Sequence, residues 1–89
     1  MNINISLGKK IKEERLNKKL NQTELSKIVN TTQDTISLWE KGERIPSIEN
    51  LITLSNFFEI TLEELLGIEK DKNGKYVIIT NYGNITINQ

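Results

Sequence analysis

The sequence predicts a mostly α chain: five short helices over residues 1–67, then a small C-terminal β-hairpin appendage over residues 68–89. Three observations carry that prediction. Helix start and stop residues recur at short intervals as far as Gly67. Beyond Gly67 the apolar spacing changes from a helical period to strand-like alternation. A length of 89 residues, 36% of them hydrophobic, allows one small domain with a thin core but not two domains. A chain this short buries only about 60% of its unfolded surface, so the helical part alone is expected to be marginal and a partner would help it.

The elements follow in order. Ser6 can cap a first helix that runs to about Asn17, with Leu7, Ile11 and Leu16 on one face and Lys9, Lys10, Lys12, Glu13 and Glu14 outside. Asn21 precedes a second, short helix, and Glu24 stands where a capping box wants a carboxylate. Leu25, Ile28 and Val29 are its expected buried set, and it stops at Asn30. Thr32 can cap a third helix, Gln33 to about Lys41, with Ile36 and Trp39 facing inward and Gly42 as its stop. Pro46-Ser47 opens a fourth, in which Leu51, Leu54 and Phe58 repeat at helical spacing. Thr61 and Glu64 form another capping box for a last helix, Leu62 to Leu66, ended by Gly67. Asp71-Lys72-Asn73-Gly74 is then a turn, Lys75 to Thr80 is β-branched and aromatic, Asn81-Tyr82-Gly83-Asn84 is a second turn, and Ile85-Thr86-Ile87 alternates. Residues 75–88 are expected to pair as a hairpin, with Ile68 to Lys70 as a candidate third strand.

Composition excludes several classes of function. The chain has no cysteine and no histidine, so disulfides, thiol nucleophiles, zinc fingers and imidazole-based catalysis are all ruled out. The carboxylates between Glu59 and Glu69 lack a metal-ligand rhythm and read as solvated caps. No phosphate-cradling Gly-rich loop or nucleophile–base pair is present, so neither an enzyme nor a cofactor or metal site is expected. The longest apolar run, Tyr76 to Ile79, is far short of the roughly 20 residues of a membrane span. The N-terminus lacks the charged-then-apolar order of a signal peptide. A soluble cytoplasmic protein is expected. Net charge is zero but uneven: residues 1–44 hold nine Lys/Arg against six Asp/Glu, and residues 45–89 hold three against six. That asymmetry permits one basic face.

The second and third helices, joined by a turn of about three residues, have the spacing of a helix-turn-helix unit. Such a unit needs a small residue where the helices cross, and Ser26 is there. It needs a tight reversal that tolerates positive φ, for which Asn30 is the best non-glycine residue. With Ile36 and Trp39 inward, Gln33, Asp34, Ser37 and Leu38 remain free for a DNA groove.

The run Leu20 to Ser26, then Thr32 to Gly42, then Arg44 to Ser47, then Leu51 through Leu66, resembles the phage Cro and repressor-like helix-turn-helix family, often called the XRE family. The match covers about residues 7–67. The resemblance implies a five-helix, repressor-like DNA-binding domain that acts as a dimer on a two-fold double-stranded operator. It implies that Gln22 binds a DNA phosphate and braces the base-reading residue after the turn. It also implies that Thr32, Gln33, Asp34 and Thr35 open the recognition helix. Gln33 is the best candidate reader, since its amide can bond adenine N6 and N7 together. Asp34 departs from the commoner neutral or basic choice: it favours the helix N-terminus as a dipole partner, accepts from cytosine N4, or weakens binding. Ser37 lies on the same face. Leu38 also departs from the pattern, and meets either thymine methyls or its own protein. Lys41 and Arg44 are implied phosphate or minor-groove contacts. Arg15 and Glu40 align with a partly buried salt bridge that joins the first and third helices in relatives. Trp39 is expected in the core rather than as a stacking platform.

Two functions remain open from the sequence. One is a sequence-specific transcription regulator, expected to be a repressor. The other is an antitoxin-like or antirepressor-like module whose hairpin captures a protein partner, such as a toxin or an antirepressor. Tyr76, Val77, Ile78, Ile79, Ile85 and Ile87 load both faces of the hairpin, because alternation puts Tyr76 and Ile78 on one side and Val77 and Ile79 on the other. The helical domain can cover only one side, so the hairpin is expected to help make a homodimer.

Overall fold

A computed structural model describes residues 3–80 and 83–86. Five helices, α1 (Ile3–Asn17), α2 (Gln22–Ile28), α3 (Gln33–Lys41), α4 (Ile48–Phe58) and α5 (Leu62–Leu66), precede three strands, β1 (Ile68–Lys70), β2 (Tyr76–Thr80) and β3 (Gly83–Thr86). Most helix boundaries are set by local polar chemistry. Asn21 accepts from Glu24 N while the Glu24 carboxylate accepts from Asn21 N, both at 2.8 Å, so each satisfies an amide the helix start leaves bare. Thr32, Ser47 and Thr61 cap α3, α4 and α5 through their hydroxyls. Gly42 and Gly67 end α3 and α5 in the left-handed region, at φ 76° and 71°.

Leu7, Ile11, Leu25, Val29, Ile36, Trp39, Leu51, Leu54, Phe58 and Leu65 form one buried cluster to which all five helices contribute. Each such side chain is worth about 1.5–3 kcal/mol when fully buried. Lys10 on α1 adds a polar clasp, with Nζ 3.1 Å from Glu14 and 3.8 Å from Glu64 of α5. Partial burial pulls the Lys10 pKa down, but the bond to Glu14 and the charges of Glu13 and Glu14 outweigh it, leaving the amine above its ordinary value. Among the described residues no helix is long and apolar enough to cross a membrane.

The structure corrects the sequence reading at several points. α1 begins at least by Ile3, so Ser6 lies inside it and does not cap it. The extra turn docks on the end of α3, where a Cβ built on Gly42 would stand 3.2 Å from Ile5 Cα. Leu16 is 54% exposed, because the inward stripe of α1 runs Leu7, Ile11, Arg15 and leaves Leu16 turned away. Ile28 is 40% exposed, since the core takes only Leu25 and Val29 from so short a helix. Glu64 makes only half of the expected box: its amide donates to Thr61 Oγ1, while its carboxylate faces Lys10.

β1, β2 and β3 form an antiparallel sheet in that order, so the appendage is a hairpin extended by a third strand. Ile68 pairs with Ile78, and Ile78 in turn with Ile85. The Asp71 carboxylate accepts from Asn73 N and Lys75 N, and Gly74 takes φ 80°, closing the first turn. Gly83 and Asn84, expected in the second turn, instead pair with Thr80 and Ile79. Backbone pairing there satisfies amide and carbonyl groups that a wider turn would leave to other partners. Val77 and Ile78, on opposite faces, are both buried within the single chain, and Tyr76 is 37% exposed. One chain therefore covers more of the sheet than alternation alone suggests. Residue 87 and the side chains of residues 79 and 85 lie outside what the structure describes.

Gly8 stands in a close approach of two helices. A Cβ built there would lie 2.4 Å from Trp39 O and 2.8 Å from Glu40 O, both immovable backbone atoms of α3. Alanine favours a helix interior by about 1 kcal/mol over glycine, yet overpacking costs about 1–3 kcal/mol. Gly8→Ala should therefore lower the urea midpoint of unfolding without changing the slope. A raised midpoint would mean that α1 and α3 separate freely.

Candidate nucleic-acid interface

α2 and α3 meet across a turn whose backbone is fixed without glycine. Val29 closes α2, Asn30 takes φ 56°, and Thr31 N donates to Ser26 O at 2.8 Å. Ser26 is buried at the crossing, its hydroxyl donating to Thr23 O at 2.6 Å, so a polar side chain occupies a tight space without an unmet bond. Ile36 and Trp39 anchor α3 in the core at 0% and 2% exposure. Apart from Glu40, which turns back toward α1, the other side chains of α3 are exposed or half-buried. Gln33 and Asp34 are exposed, as are Lys41 in its last turn and Arg44 beyond its far end, while Thr35, Ser37 and Leu38 are half-buried.

A chain of hydrogen bonds holds this face from behind. Arg15 on α1 donates from Nε to Glu40 Oε2 at 2.7 Å and from Nη2 to Glu40 Oε1 at 3.1 Å. Its third arm, Nη1, donates to Leu20 O at 2.8 Å and so fixes the link between α1 and α2. Both side chains are nearly dry, at 9% and 4% exposure. Glu40 Oε1 also accepts from Gln22 Nε2 at 3.0 Å. Gln22 Oε1 in turn accepts from Gln33 Nε2. Arg15, Glu40, Gln22 and Gln33 are thus one continuous network from the core to the outer face of α3. The bond from Gln22 to Glu40 is absent from the sequence reading, and no residue spacing signals it.

The network leaves the Gln33 amide with one N–H and its oxygen unspent, the donor–acceptor pair that the adenine edge matches. Thr32 is less free: its Oγ1 accepts from Thr35 N at 3.2 Å and lies 2.9 Å from Thr35 Oγ1. Asp34 takes no part in that cap. It sits in the first turn of α3 and, among the described residues, its carboxylate has no hydrogen bond or ion pair. Its charge lies near the positive end of the helix and is open to whatever approaches.

The helix-turn-helix family model matches residues 11–65, which takes in the whole network. The transcriptional activator BcrR of Enterococcus faecalis is 33% identical over 66 residues, 74% of this chain and 32% of that protein. The transcriptional regulator ImmR of Bacillus subtilis is 34% identical over 71 residues, 80% of this chain and 54% of that one. The chain therefore spans about a third to a half of the length of these curated relatives. Among solved structures, the P22 c2 repressor in complex with a synthetic operator superposes with a TM-score of 0.63 at 34% identity, covering 66% of this chain and 89% of that one.

Removing one partner of a buried ion pair strands the other charge, at a cost of about 3–5 kcal/mol. Arg15→Met and Glu40→Leu should each destabilise on that scale. The double variant should lose less than the two combined, because no charge is left unpaired. A double-mutant cycle on denaturant unfolding reads the difference, and simple additivity would mean the two groups do not interact.

Proposed function

The chain belongs to the XRE-type helix-turn-helix family, and from that premise we propose that it is a sequence-specific regulator of transcription. It acts as a cytoplasmic repressor that binds a double-stranded operator as a homodimer, with α3 in the major groove. The observation that supports this most directly is the outward amide of Gln33, held in place by Gln22 on the helix before it. In this reading Gln22, Lys41 and Arg44 meet phosphates, while Gln33, with Thr32, Asp34, Thr35, Ser37 and Leu38 around it, meets base edges. Repression fits the likeness to the P22 c2 repressor on its operator.

We assign residues 1–67 to DNA binding and residues 68–89 to assembly. The buried helical cluster lies wholly within residues 7–65, so the first unit has its own core. Among the described strands, β3 has no neighbour on its outer side, and an open edge is a template for a second chain. Tyr76, Val77, Ile78, Ile79, Ile85 and Ile87 supply most of the apolar side chains of this unit. Pairing two such sheets would hold two recognition helices about 34 Å apart, one turn of DNA, as two-fold half-sites require.

Selection of bound duplexes from a random pool, followed by salt titration of the winner, tests the reading. Gln33→Ala should cost about 1–3 kcal/mol and relax the preference at one base position. Lys41→Ala or Arg44→Ala should weaken all sequences alike and reduce the salt slope by about one unit. Unchanged affinity and base preference in Gln33→Ala would mean that α3 does not read the groove.

Sedimentation of the full chain against a version ending at Gly67 tests assembly separately. The shorter chain should be monomeric and bind the operator more weakly. The same oligomeric state and affinity in both would rule out a dimerising appendage.

A further inference from the structure

Resting on the reading of Gln33 against a base, we propose that Glu40 is a positioning residue that sets which way round the Gln33 amide faces the groove. A carboxamide has two nearly isosteric ends of opposite hydrogen-bonding sense, N–H donors and a carbonyl acceptor. Nothing in its shape decides which end points where. Glu40 decides it from a distance.

A carboxylate at Glu40 can only accept, and Arg15 holds it in place through two bonds. The group that meets Glu40 Oε1 from α2 must therefore be a donor, so Gln22 turns Nε2 toward it. That leaves Gln22 Oε1 on the opposite side, where only a donor can meet it, and Gln33 supplies Nε2. The Gln33 amide is thus fixed with its nitrogen near Gln22 and its oxygen on the far side. A base in the groove meets a donor and then an acceptor, in that order. Adenine offers N7 and then N6–H, and matches. Guanine offers N7 and then O6, and its second acceptor faces the Gln33 oxygen. Reversing the amide would place like against like at adenine. Glu40 lies 18 positions from Gln22 and its side chain is only 4% exposed, yet its acceptor character propagates as hydrogen-bond polarity through two amides.

The test uses the full chain and a duplex selected by it from a random pool, with adenine replaced by guanine at the position that Gln33→Ala identifies. Glu40→Gln places a donor as well as an acceptor in the relay and should cut the adenine-over-guanine preference by about fivefold or more. Gln22→Ala breaks the relay while leaving the ion pair in place, and should do the same. Arg15→Lys loses the fork but keeps an acceptor at Glu40; it should lower the melting temperature and the affinity for every duplex alike, and keep the adenine preference. A merely structural role for Glu40 predicts the reverse pattern, with all three variants binding every duplex more weakly and adenine preference intact. Retained preference in Glu40→Gln, or its loss in Arg15→Lys, overturns the proposal. If Glu40→Gln does not fold, retained preference in Gln22→Ala overturns it by itself. A Gln33→Ala variant that keeps the adenine preference instead refutes the underlying reading of Gln33, a distinguishable failure.

Discussion

The ion pair between Arg15 and Glu40 is the interaction on which the orientation of α3 depends. Burying two charges costs several kcal/mol for each ion, and an apolar pair of similar volume would pack there at less cost. Apolar contact, however, tolerates rotation of one helix about its own axis. A guanidinium fork on a carboxylate does not, because two parallel bonds fix an angle as well as a distance. Arg15 spends its remaining arm on Leu20 O and Glu40 its remaining capacity on Gln22, so the pair ties α1, α2 and α3 at one point. Among the described residues no buried side-chain nitrogen or oxygen is left without a partner. A half-satisfied network at this depth would cost more than it gave.

That pair is only possible because the helices approach closely. Gly8, Ile11 and Arg15 lie on one face of α1, at spacings of three and four residues. Gly8 lets the backbone of α1 reach the carbonyls of Trp39 and Glu40, and Ser26 does the equivalent work between α2 and α3. Small residues thus set the distance between helices, and the charged network sets their rotation. Trp39, at 2% exposure, fills the volume between. A larger side chain at either crossing would move α3 as a body and change every outward position on it together.

How much of this was legible in the sequence depends on the range of each interaction. Caps act within four residues, and Asn21 with Glu24, Thr32, Ser47, Thr61, Gly42 and Gly67 mark their helices from residue type alone. Buried positions follow where a helix is long enough for its period to show, as with Leu51, Leu54 and Phe58. The reading failed where a distant contact outweighed a local signal. Ser6 is a good cap, but the turn before it gains more by docking on Gly42. Leu16 looks like a core residue until α3 presents a carboxylate, which selects its neighbour Arg15 for the inward place. Glu59 ends α4 at φ 59° with no glycine to announce it. The expectation for Arg15 with Glu40 came through resemblance to relatives, since 25 residues separate them and no periodicity connects them. The bond from Glu40 to Gln22 had neither route.

On the proposed function, the distribution of charge makes the network matter more than it would in a basic protein. Residues 1–44 carry a net +3 and residues 45–89 a net −3, so the chain as a whole has little long-range attraction for phosphate. Each phosphate contact contributes about 0.9 to the salt slope and binds every sequence equally. With few such contacts, binding to arbitrary DNA starts weak. Asp34 weakens it further, because an exposed carboxylate without a cationic partner meets repulsion from any backbone it approaches. The positive end of α3 offsets part of that cost, and a base edge that offers a donor offsets more. Specificity is a difference between affinities, and it grows as readily by penalising wrong partners as by rewarding the right one. In such a protein the reward falls to a small number of hydrogen bonds at the start of α3, each good bidentate pair worth about 1–3 kcal/mol. The direction of a single amide then decides a large share of the total, which gives a buried carboxylate behind it a consequence well beyond stability.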